Sequence, residues 1–439
     1  MGALALPAMK LPPGNPAPPA RRSNRSIARD FLDLSSRLES GRALPVFSRF
    51  EGPVTLKTTG LTLSAASRRD LAALLARLRN EGHVPIRLAS APAPATATAQ
   101  APANITVEFL PHRLLQRKVP QAACFVAPNV SSWREYLAHP GDPAQDWASI
   151  VRRRRVAIFI PGDVAPQEIR DCMHEEIAQA LGPVNDLFRL TDSVYNDDNF
   201  QTVLTGFDML ILRATYDPAL RSGMDWDTVA ARLPTILSRI HPAGEHAPAR
   251  APVAPTPRSW IEAIRSALGR GTKGPAQIAQ ARHALAIARA QGWNDNRLGF
   301  SLYALGRVSL GSDPHAALEA FAQAEAIFRA RPQTRLHAAH VAVQLAAYAL
   351  SAGRARAAID MVDADAPVAL AAENAELLSS LLMIKAQALE DLGRSAQARI
   401  VRLDALGWAR YGLGSGEAIA RRLAEIAALS PKARRRASG

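Results

Sequence analysis

One short segment of the chain combines side chains that could bind a metal ion or transfer a proton. Residues 175–186 read E-E-I-A-Q-A-L-G-P-V-N-D. In a helix, Glu175 and Gln179 lie four residues apart and share one face, and Asn185 follows six residues later. A set of one carboxylate and two amides is a weak ligand set for Zn²⁺ and suits a harder ion such as Ca²⁺ better. Glu176 supplies a further carboxylate, which could act as a general base on a metal-polarised water.

This segment resembles the zinc helix of the metzincin peptidases, which reads H-E-x-x-H-x-x-G-x-x-H. When Gly182 is placed on the glycine of that pattern, the three histidine positions fall on Glu175, Gln179 and Asn185. The general-base glutamate falls on Glu176. We expect Gly182 to adopt a left-handed conformation at the end of the helix, so that Asn185 turns back toward the other two positions. The resemblance implies a zincin-like domain that retains the geometry of the site without its zinc chemistry.

Three interpretations of these residues stay open. Glu175, Gln179 and Asn185 could form a buried polar network in a non-catalytic domain, because amides can satisfy one another and a nearby carboxylate. They could belong to a working hydrolase that uses Glu176 with an altered metal or with none. They could also be simply a polar helix face and its cap.

The same region resembles a bacterial family of unknown function, number 2927. The matching positions are Glu175, Glu176, Gln179, Leu181, Gly182, Asn185, Asp186, Asp192, Ser193, Tyr195, Asn196, Asp197, Thr205, Asp208, residues 216–218, Gly223 and Met224. Several members look exported or lipid-anchored. The resemblance therefore implies a periplasmic or membrane-anchored protein, although no signal peptide is visible in the Pro- and Ala-rich residues 1–23.

Residues 192–195 occupy the place where a metzincin has its Met-turn beneath the metal, with Tyr195 or Val194 in the position of the methionine. The following residues, 204–216, resemble the closing helix of matrixin-like domains. That helix is expected to begin with a capping pair formed by Thr205 and Asp208.

Asp192, Asp197 and Asp198 form a nearby acidic group that could bind calcium. Their spacing does not match an EF-hand loop, so a solvated loop is the favoured interpretation. No cofactor is expected in the favoured reading, and zinc or calcium enters only in the alternative one.

The chain has two cysteines, Cys124 and Cys172. In a reducing compartment they would be unpaired and buried. In an oxidising compartment they could form a structural disulfide.

The formal net charge is +14, and nearly all of the positive charge is arginine. The first basic run, residues 152–155, leads into an apolar strand and is expected to be solvated, whereas the second, residues 432–436, is terminal. Charge alone supports a nucleic-acid-binding regulator, which we consider unlikely. No apolar run has the length of about 18 residues that a transmembrane helix needs.

Hydrophobic periodicity predicts an α+β domain over residues 24–240, with a flexible insertion at 91–103. Strands are predicted at Val54–Thr59, Asn104–Leu110, Ala122–Val126 and Val156–Ile160, and helices at Ser26–Leu38 and Ser67–Glu81. The helix that carries Glu175 follows the last strand, and its predicted buried stripe comprises Ile169, Met173, Ile177, Ala180 and Leu181. Asp163 is its expected N-cap, and Pro166 lies in its first turn.

A linker rich in proline and alanine, residues 241–257, precedes an all-α region at 258–430 and a basic tail at 431–439. Three helix pairs are predicted: Leu298–Leu310 with Pro314–Ala330, Leu336–Ala352 with Ala355–Val362, and Ala371–Leu392 with Ser395–Ala405. They resemble tetratricopeptide repeats with a longer period, and an irregular bundle is the alternative. A TPR-like solenoid would present a surface for a protein or peptide partner.

Together these features favour a non-catalytic metzincin-like domain joined to a helical-repeat scaffold, with an interaction or sensing role outside the cytoplasm. The alternatives are a metal-dependent peptidase or hydrolase with Glu176 as general base, and a nucleic-acid-binding regulator.

Overall fold

The computed structural model describes residues 22–89, 103–249, 251, 253–269 and 271–432. Within them an N-terminal α/β region is followed by an all-helical region, as the sequence predicts. Most of the 1–23 segment, of the 91–103 insertion and of the 431–439 tail lies outside the described residues. Arg22 and Ser23 are already buried, and Ser23 caps the first helix.

The N-terminal region contains one five-stranded sheet. Its strands are β1 (Val54–Gly60), β2 (Ile86–Leu88), β3 (Ile105–Leu110), β4 (Phe125–Pro128) and β5 (Val156–Pro161). Their order is β2-β1-β3-β5-β4, and all neighbours are parallel except the edge strand β4, which is antiparallel to β5. Strand β2 was not predicted, because its three residues are too few for a detectable alternation.

Seven helices surround this sheet. They are α1 (Asn24–Ser35), α2 (Ala65–Asn80), α3 (His112–Lys118), α4 (Trp133–Ala138), α5 (Pro166–Leu181), α6 (Gly206–Thr215) and α7 (Trp226–Ile240). The side chains of β5 alternate between two cores: Ile158 and Ile160 pack in the large core with α1, α2 and α5–α7, and Phe159 packs with α3 and α4. Because both faces of the sheet are covered, β5 is a continuous apolar run.

A disulfide joins Cys124, just before β4, to Cys172 in the middle of α5, with 6.1 Å between the two Cα atoms. The cross-link attaches the edge of the sheet to the helix that carries Glu175 and Glu176. Of the two states left open by the sequence, the structure has the bonded one.

The helical region begins after a connection whose described part includes one 3-10 turn, Pro242–Glu245. Its helices are α8 (Arg258–Leu268), α9 (Pro275–Ala290), α10 (Asn296–Ser309), α11 (Pro314–Arg329), α12 (Arg335–Ser351), α13 (Ala355–Ala371), α14 (Ala375–Asp391), α15 (Ser395–Gly412) and α16 (Gly416–Leu429). Neighbouring helices pack as hairpins, α8 with α9 through α14 with α15, and α12 also contacts α14. The array therefore has one hairpin more than the three predicted pairs.

Helix α13 extends nine residues beyond the predicted end at Val362, through Pro367 to Ala371. The chain reverses at Glu373, which has a φ of 55°, rather than at a glycine. By contrast, the turns that follow α12 and α14 contain glycines with positive φ, Gly353 and Gly393. A turn without glycine leaves no strong sequence signal, and this explains the misplaced boundary.

Aromatic side chains connect the two regions. Phe188 and Phe200, from the loop between α5 and α6, belong to the same core cluster as residues of the helical array. The ring of Phe188 lies 4.9 Å from that of Trp260, and the ring of Phe200 lies 5.3 Å from that of Tyr303. The helical array thus packs directly against the loop that follows the Glu175 segment.

Polar contacts extend this interface. Gln167 of α5 donates a hydrogen bond to the Asn374 side chain at 3.0 Å, and the Tyr411 hydroxyl donates to Asp70 at 2.8 Å. A buried pair forms between His337 Nε2 and Asp198 Oδ2 at 2.9 Å. These bonds join helices α2 and α5 and the 186–203 loop to α12, α14 and α15.

Candidate functional site

Helix α5 positions the predicted site residues. It begins at Pro166, and its N-cap is Ala165, which has no capping side chain. The prediction of Asp163 as N-cap is therefore wrong: its carboxylate accepts a hydrogen bond from the backbone N–H of His112 at 2.6 Å. The predicted apolar stripe is buried, comprising Ile169, Met173, Ile177, Ala180 and Leu181. This packing fixes the rotation of α5 and turns Gln179 toward Asp186 in the following loop.

Arg153 caps the C-terminal end of α5. Its buried guanidinium donates to the backbone carbonyls of Gln179, Ala180 and Gly182, which the helix itself leaves without partners. Burial lowers the pKa of Arg153 to about 10. The expectation that the whole 152–155 run is solvated is wrong for this residue.

Gly182 is not left-handed, because its φ is −156°. It is required for close packing instead: a Cβ at this position would lie 3.2 Å from the side chain of Thr215 in α6. The glycine thus serves the contact between two helix ends and does not act as a left-handed turn.

Of the three residues that the sequence resemblance aligns with zinc ligands, Gln179 and Asn185 form hydrogen bonds to different partners. The Gln179 amide donates to Asp186 Oδ2 at 3.2 Å, and the Asn185 amide donates to the backbone carbonyl of Asp33 in α1 at 2.8 Å. Among the described residues, no hydrogen bond joins Asn185 to Glu175 or Gln179. With both amides engaged and no imidazole in the set, these residues do not fit a tetrahedral zinc centre.

Glu176 is 4% exposed, and its Oε2 atom is buried without a hydrogen-bond partner among the described residues. Burial, reinforced by the charges of Glu175 and Glu39, raises the pKa of Glu176 well above its ordinary value. Burial also raises the pKa of the partly exposed Glu175 to about 8, with further contributions from Asp197 and Glu39. Both shifts favour the protonated form of the carboxyl group.

A carboxylate cluster lies beside these residues. One carboxylate oxygen from each of Glu39, Asp186 and Asp197 lies within 4.8 Å of the other two. Arg265 of α8 bridges two of them, with Nη2 at 2.6 Å from Glu39 and 2.7 Å from Asp197. Burial and the neighbouring charge of Glu39 raise the pKa of Asp186 well above its ordinary value. We call Glu39, Asp186 and Asp197 the carboxylate cluster.

Glu39 and Arg265 were not predicted as part of the site. Glu39 lies in the turn after α1, and Arg265 lies in the helical region. Neither belongs to a motif, so only the packing of the two regions reveals them.

The residues in the Met-turn position form a structural turn. Asp208 accepts hydrogen bonds from Ser193 Oγ at 2.5 Å and from the backbone N–H of Val194 at 3.2 Å. It also completes the predicted capping box with Thr205. Asp192 contributes through its carbonyl, which accepts from the Thr205 hydroxyl at 2.7 Å. These bonds fix the start of α6.

Tyr195 is fully buried, and its hydroxyl has no hydrogen-bond partner among the described residues. Burial raises its pKa, and the charges of Asp208 and Asp186 add to the shift. Its ring packs in the large core, and the hydroxyl is a neutral phenol.

The three aspartates considered as a calcium loop separate in the structure. Asp192 pairs with Arg22, Asp198 pairs with His337, and only Asp197 joins the carboxylate cluster. His174, on the same helix as Glu175, accepts a hydrogen bond from the backbone N–H of Leu204 at 3.1 Å, so it has a structural role.

The comparison with known families decides the assignment of the N-terminal region. Residues 24–235 match the family described as "Protein of unknown function (DUF2927)". The N-terminal region is a DUF2927 domain. No curated protein matches the chain. Within the described ranges, no helix is both long and apolar enough to cross a membrane.

Proposed function

We propose that the DUF2927 domain is a non-catalytic, metzincin-like domain. The observation that carries this proposal is the use of the ligand-position side chains in internal bonds: Gln179 bonds to Asp186 and Asn185 bonds to α1. A catalytic zinc site keeps three converging ligands and one open position for water. Here the corresponding groups hold together α5, α1 and the loop that packs against the helical array.

The helical array is proposed to be a TPR-like solenoid that binds a protein or peptide. The support comes from the outer face of α15, where Ile400 is 69% exposed and Leu403 is 50% exposed. Ile400 borders a groove of about 370 Å³ that is also lined by Ile359, Leu389 and Val401. Exposed apolar side chains beside a groove are typical of interaction sites.

The disulfide is a further observation that supports this proposal. The Cys124–Cys172 disulfide is of a kind that persists in secreted and periplasmic proteins and is rare in the cytosol. The disulfide therefore supports the part of the proposal that places the protein outside the cytoplasm.

One observation favours the competing hydrolase hypothesis. Glu176 presents a buried oxygen without a hydrogen-bond partner among the described residues, and its pKa is raised, as is typical of general acids and bases. The two hypotheses differ in what happens when this carboxyl is replaced by an amide of the same shape.

A hydrolysis assay of the full chain with fluorogenic peptides and unfolded protein distinguishes the non-catalytic proposal from the hydrolase hypothesis. The non-catalytic proposal predicts no turnover above the enzyme-free blank for the wild type and for Glu176→Gln. Turnover that disappears in Glu176→Gln and persists in Glu417→Gln, a change at an exposed residue of α16, would establish the hydrolase instead.

The interaction proposal is tested by selecting displayed peptides on the purified full chain. Enriched peptides should bind saturably to the wild type and to Glu417→Gln, and they should lose binding to Ile400→Asp. Failure to enrich any peptide, or undiminished binding to Ile400→Asp, would contradict this surface as the binding site.

A further inference from the structure

The carboxylate cluster has the dimensions of a cation-binding site. Calcium binds oxygen ligands at about 2.3 to 2.6 Å, so two ligand atoms on opposite sides of the ion are about 5 Å apart. The three oxygens of Glu39, Asp186 and Asp197 lie within 4.8 Å of one another. A single ion can therefore contact all three.

Two buried oxygens beside the cluster have no partners among the described residues. Asp186 Oδ1 belongs to the cluster itself, and Glu176 Oε2 belongs to a residue that is only 4% exposed. Glu176 lies one helical turn before Gln179, whose amide contacts Asp186. The charge of Glu39 in the cluster also contributes to the raised pKa of Glu176. Buried polar atoms normally have a hydrogen-bond partner. An atom that lacks one can instead be the ligand of an ion.

The charges of the cluster are not balanced by protein groups. When the three carboxylates are ionised they carry −3, and Arg265 is the one guanidinium bonded to them among the described residues. The sum is −2, which one divalent cation neutralises. Glu39, Asp186 and Asp197 are each partly exposed, so the ion has a path from solvent.

We infer that Glu39, Asp186 and Asp197 bind one divalent cation of the calcium class, with the buried Glu176 carboxyl close to the same site on α5. The ligands come from the turn after α1 and from the loop between α5 and α6. The ligands are different residues from the three positions that the sequence resemblance aligns with zinc ligands, although Gln179 contacts Asp186. The inference does not depend on the proposed interaction role.

The ligand atoms of the carboxylate cluster determine which type of metal ion it prefers. It offers oxygen atoms only, with no imidazole or thiolate, and therefore disfavours Zn²⁺. Magnesium demands near-ideal octahedral geometry, whereas calcium tolerates irregular arrangements of loop carboxylates.

Arg265 competes with the cation. Its guanidinium bonds to one oxygen of Glu39 and one of Asp197, which are two of the three ligands. Cation binding thus weakens this link between the helical array and the DUF2927 domain, and removal of the guanidinium strengthens cation binding.

Calorimetric titration of the chelator-treated full chain with Ca²⁺, Mg²⁺ and Zn²⁺ near neutral pH tests the inference. We expect one Ca²⁺ per chain and a higher Tm in its presence. Asp197→Asn and Glu39→Gln should each weaken Ca²⁺ binding by about tenfold or more, because each removes one ligand charge. Asp227→Asn, at an exposed position in α7, should leave the affinity unchanged.

Arg265→Gln provides a test that a folding defect cannot imitate, because this variant should bind Ca²⁺ more tightly than the wild type. The inference is overturned if the wild type binds no Ca²⁺ at millimolar concentration. It is also overturned if Asp197→Asn and Glu39→Gln bind like the wild type, or if the chain prefers Zn²⁺ or Mg²⁺ to Ca²⁺.

Discussion

Buried charged side chains of this protein fall into two groups, those with a full set of partners and those without. Arg153 is in the first group, because its guanidinium donates to three carbonyls at the end of α5 and its plane lies 4.6 Å from the Trp147 ring. Glu176 is in the second group, with one oxygen left unpaired among the described residues. A saturated charge stabilises the fold, whereas an unsaturated one marks a place where a proton or an ion is needed.

Replacement of Arg153 tests whether a buried charge with a full set of partners stabilises the fold. Arg153→Met should lower the free energy of unfolding by about 2 to 4 kcal/mol, because it leaves three buried carbonyls without donors. Urea denaturation measures the change. Arg154→Met, at the exposed neighbouring position, is the matched control and should differ from the wild type by less than about 0.5 kcal/mol. Equal stabilities of the two variants would show that Arg153 does not cap α5.

The sequence predicted the helix that carries the site, its buried stripe and the Thr205–Asp208 cap, because those features depend on local spacing. It did not predict the partners of Asn185 or the role of Arg153. Those bonds join residues that are 152 and 26 positions apart in the chain, and no local pattern encodes them.

At the scale of elements, the sequence analysis missed short or interrupted helices and strands, and it also missed the longer helices α8, α9 and α16. Strand β2 has three residues and helix α4 has six, fewer than periodicity can identify. Helix α13 continues through Pro367, where a proline normally ends a helix. Tertiary contacts support it there: Asp365 is buried and pairs with Arg329 of α11.

The disulfide between β4 and α5 should make a large contribution to stability. It closes a loop of 48 residues, for which the chain-entropy model gives about 4 kcal/mol. The double variant Cys124→Ala/Cys172→Ala should show a correspondingly lower free energy of unfolding. Reductant should lower the Tm of the wild type and leave the double variant unchanged, whereas equal melting with and without reductant would contradict a structural disulfide.

At the scale of the whole molecule, the 186–203 loop couples the two regions through aromatic and histidine contacts. The ring of His340 lies 4.5 Å from that of Phe200, and its Nε2 atom is buried without a partner among the described residues. Burial, with the nearby His337 and Arg307, lowers the pKa of His340 to about 3. The coupling therefore depends on a neutral imidazole.

Acidification should weaken this interface. The folded-state pKa of His340 is below its unfolded value, so the unfolded chain gains a proton first as the pH falls below about 6.5. The resulting loss in the free energy of unfolding should reach about 1 to 2 kcal/mol at pH 5. Denaturation from pH 7 to 5 should show a smaller loss for His340→Gln than for the wild type. His315→Gln is the control, because the His315 side chain is 81% exposed. An identical pH dependence in all three proteins would contradict the assignment.

The central proposal is that Glu175, Gln179 and Asn185 do not form a zinc centre, because the amides of Gln179 and Asn185 are engaged in internal bonds. Elemental mass spectrometry of the full chain, purified after equilibration with Zn²⁺, tests it most directly. The account predicts zinc far below one atom per chain in the wild type, with no difference in Glu175→Ala. One zinc per wild-type chain that is lost in Glu175→Ala would contradict it.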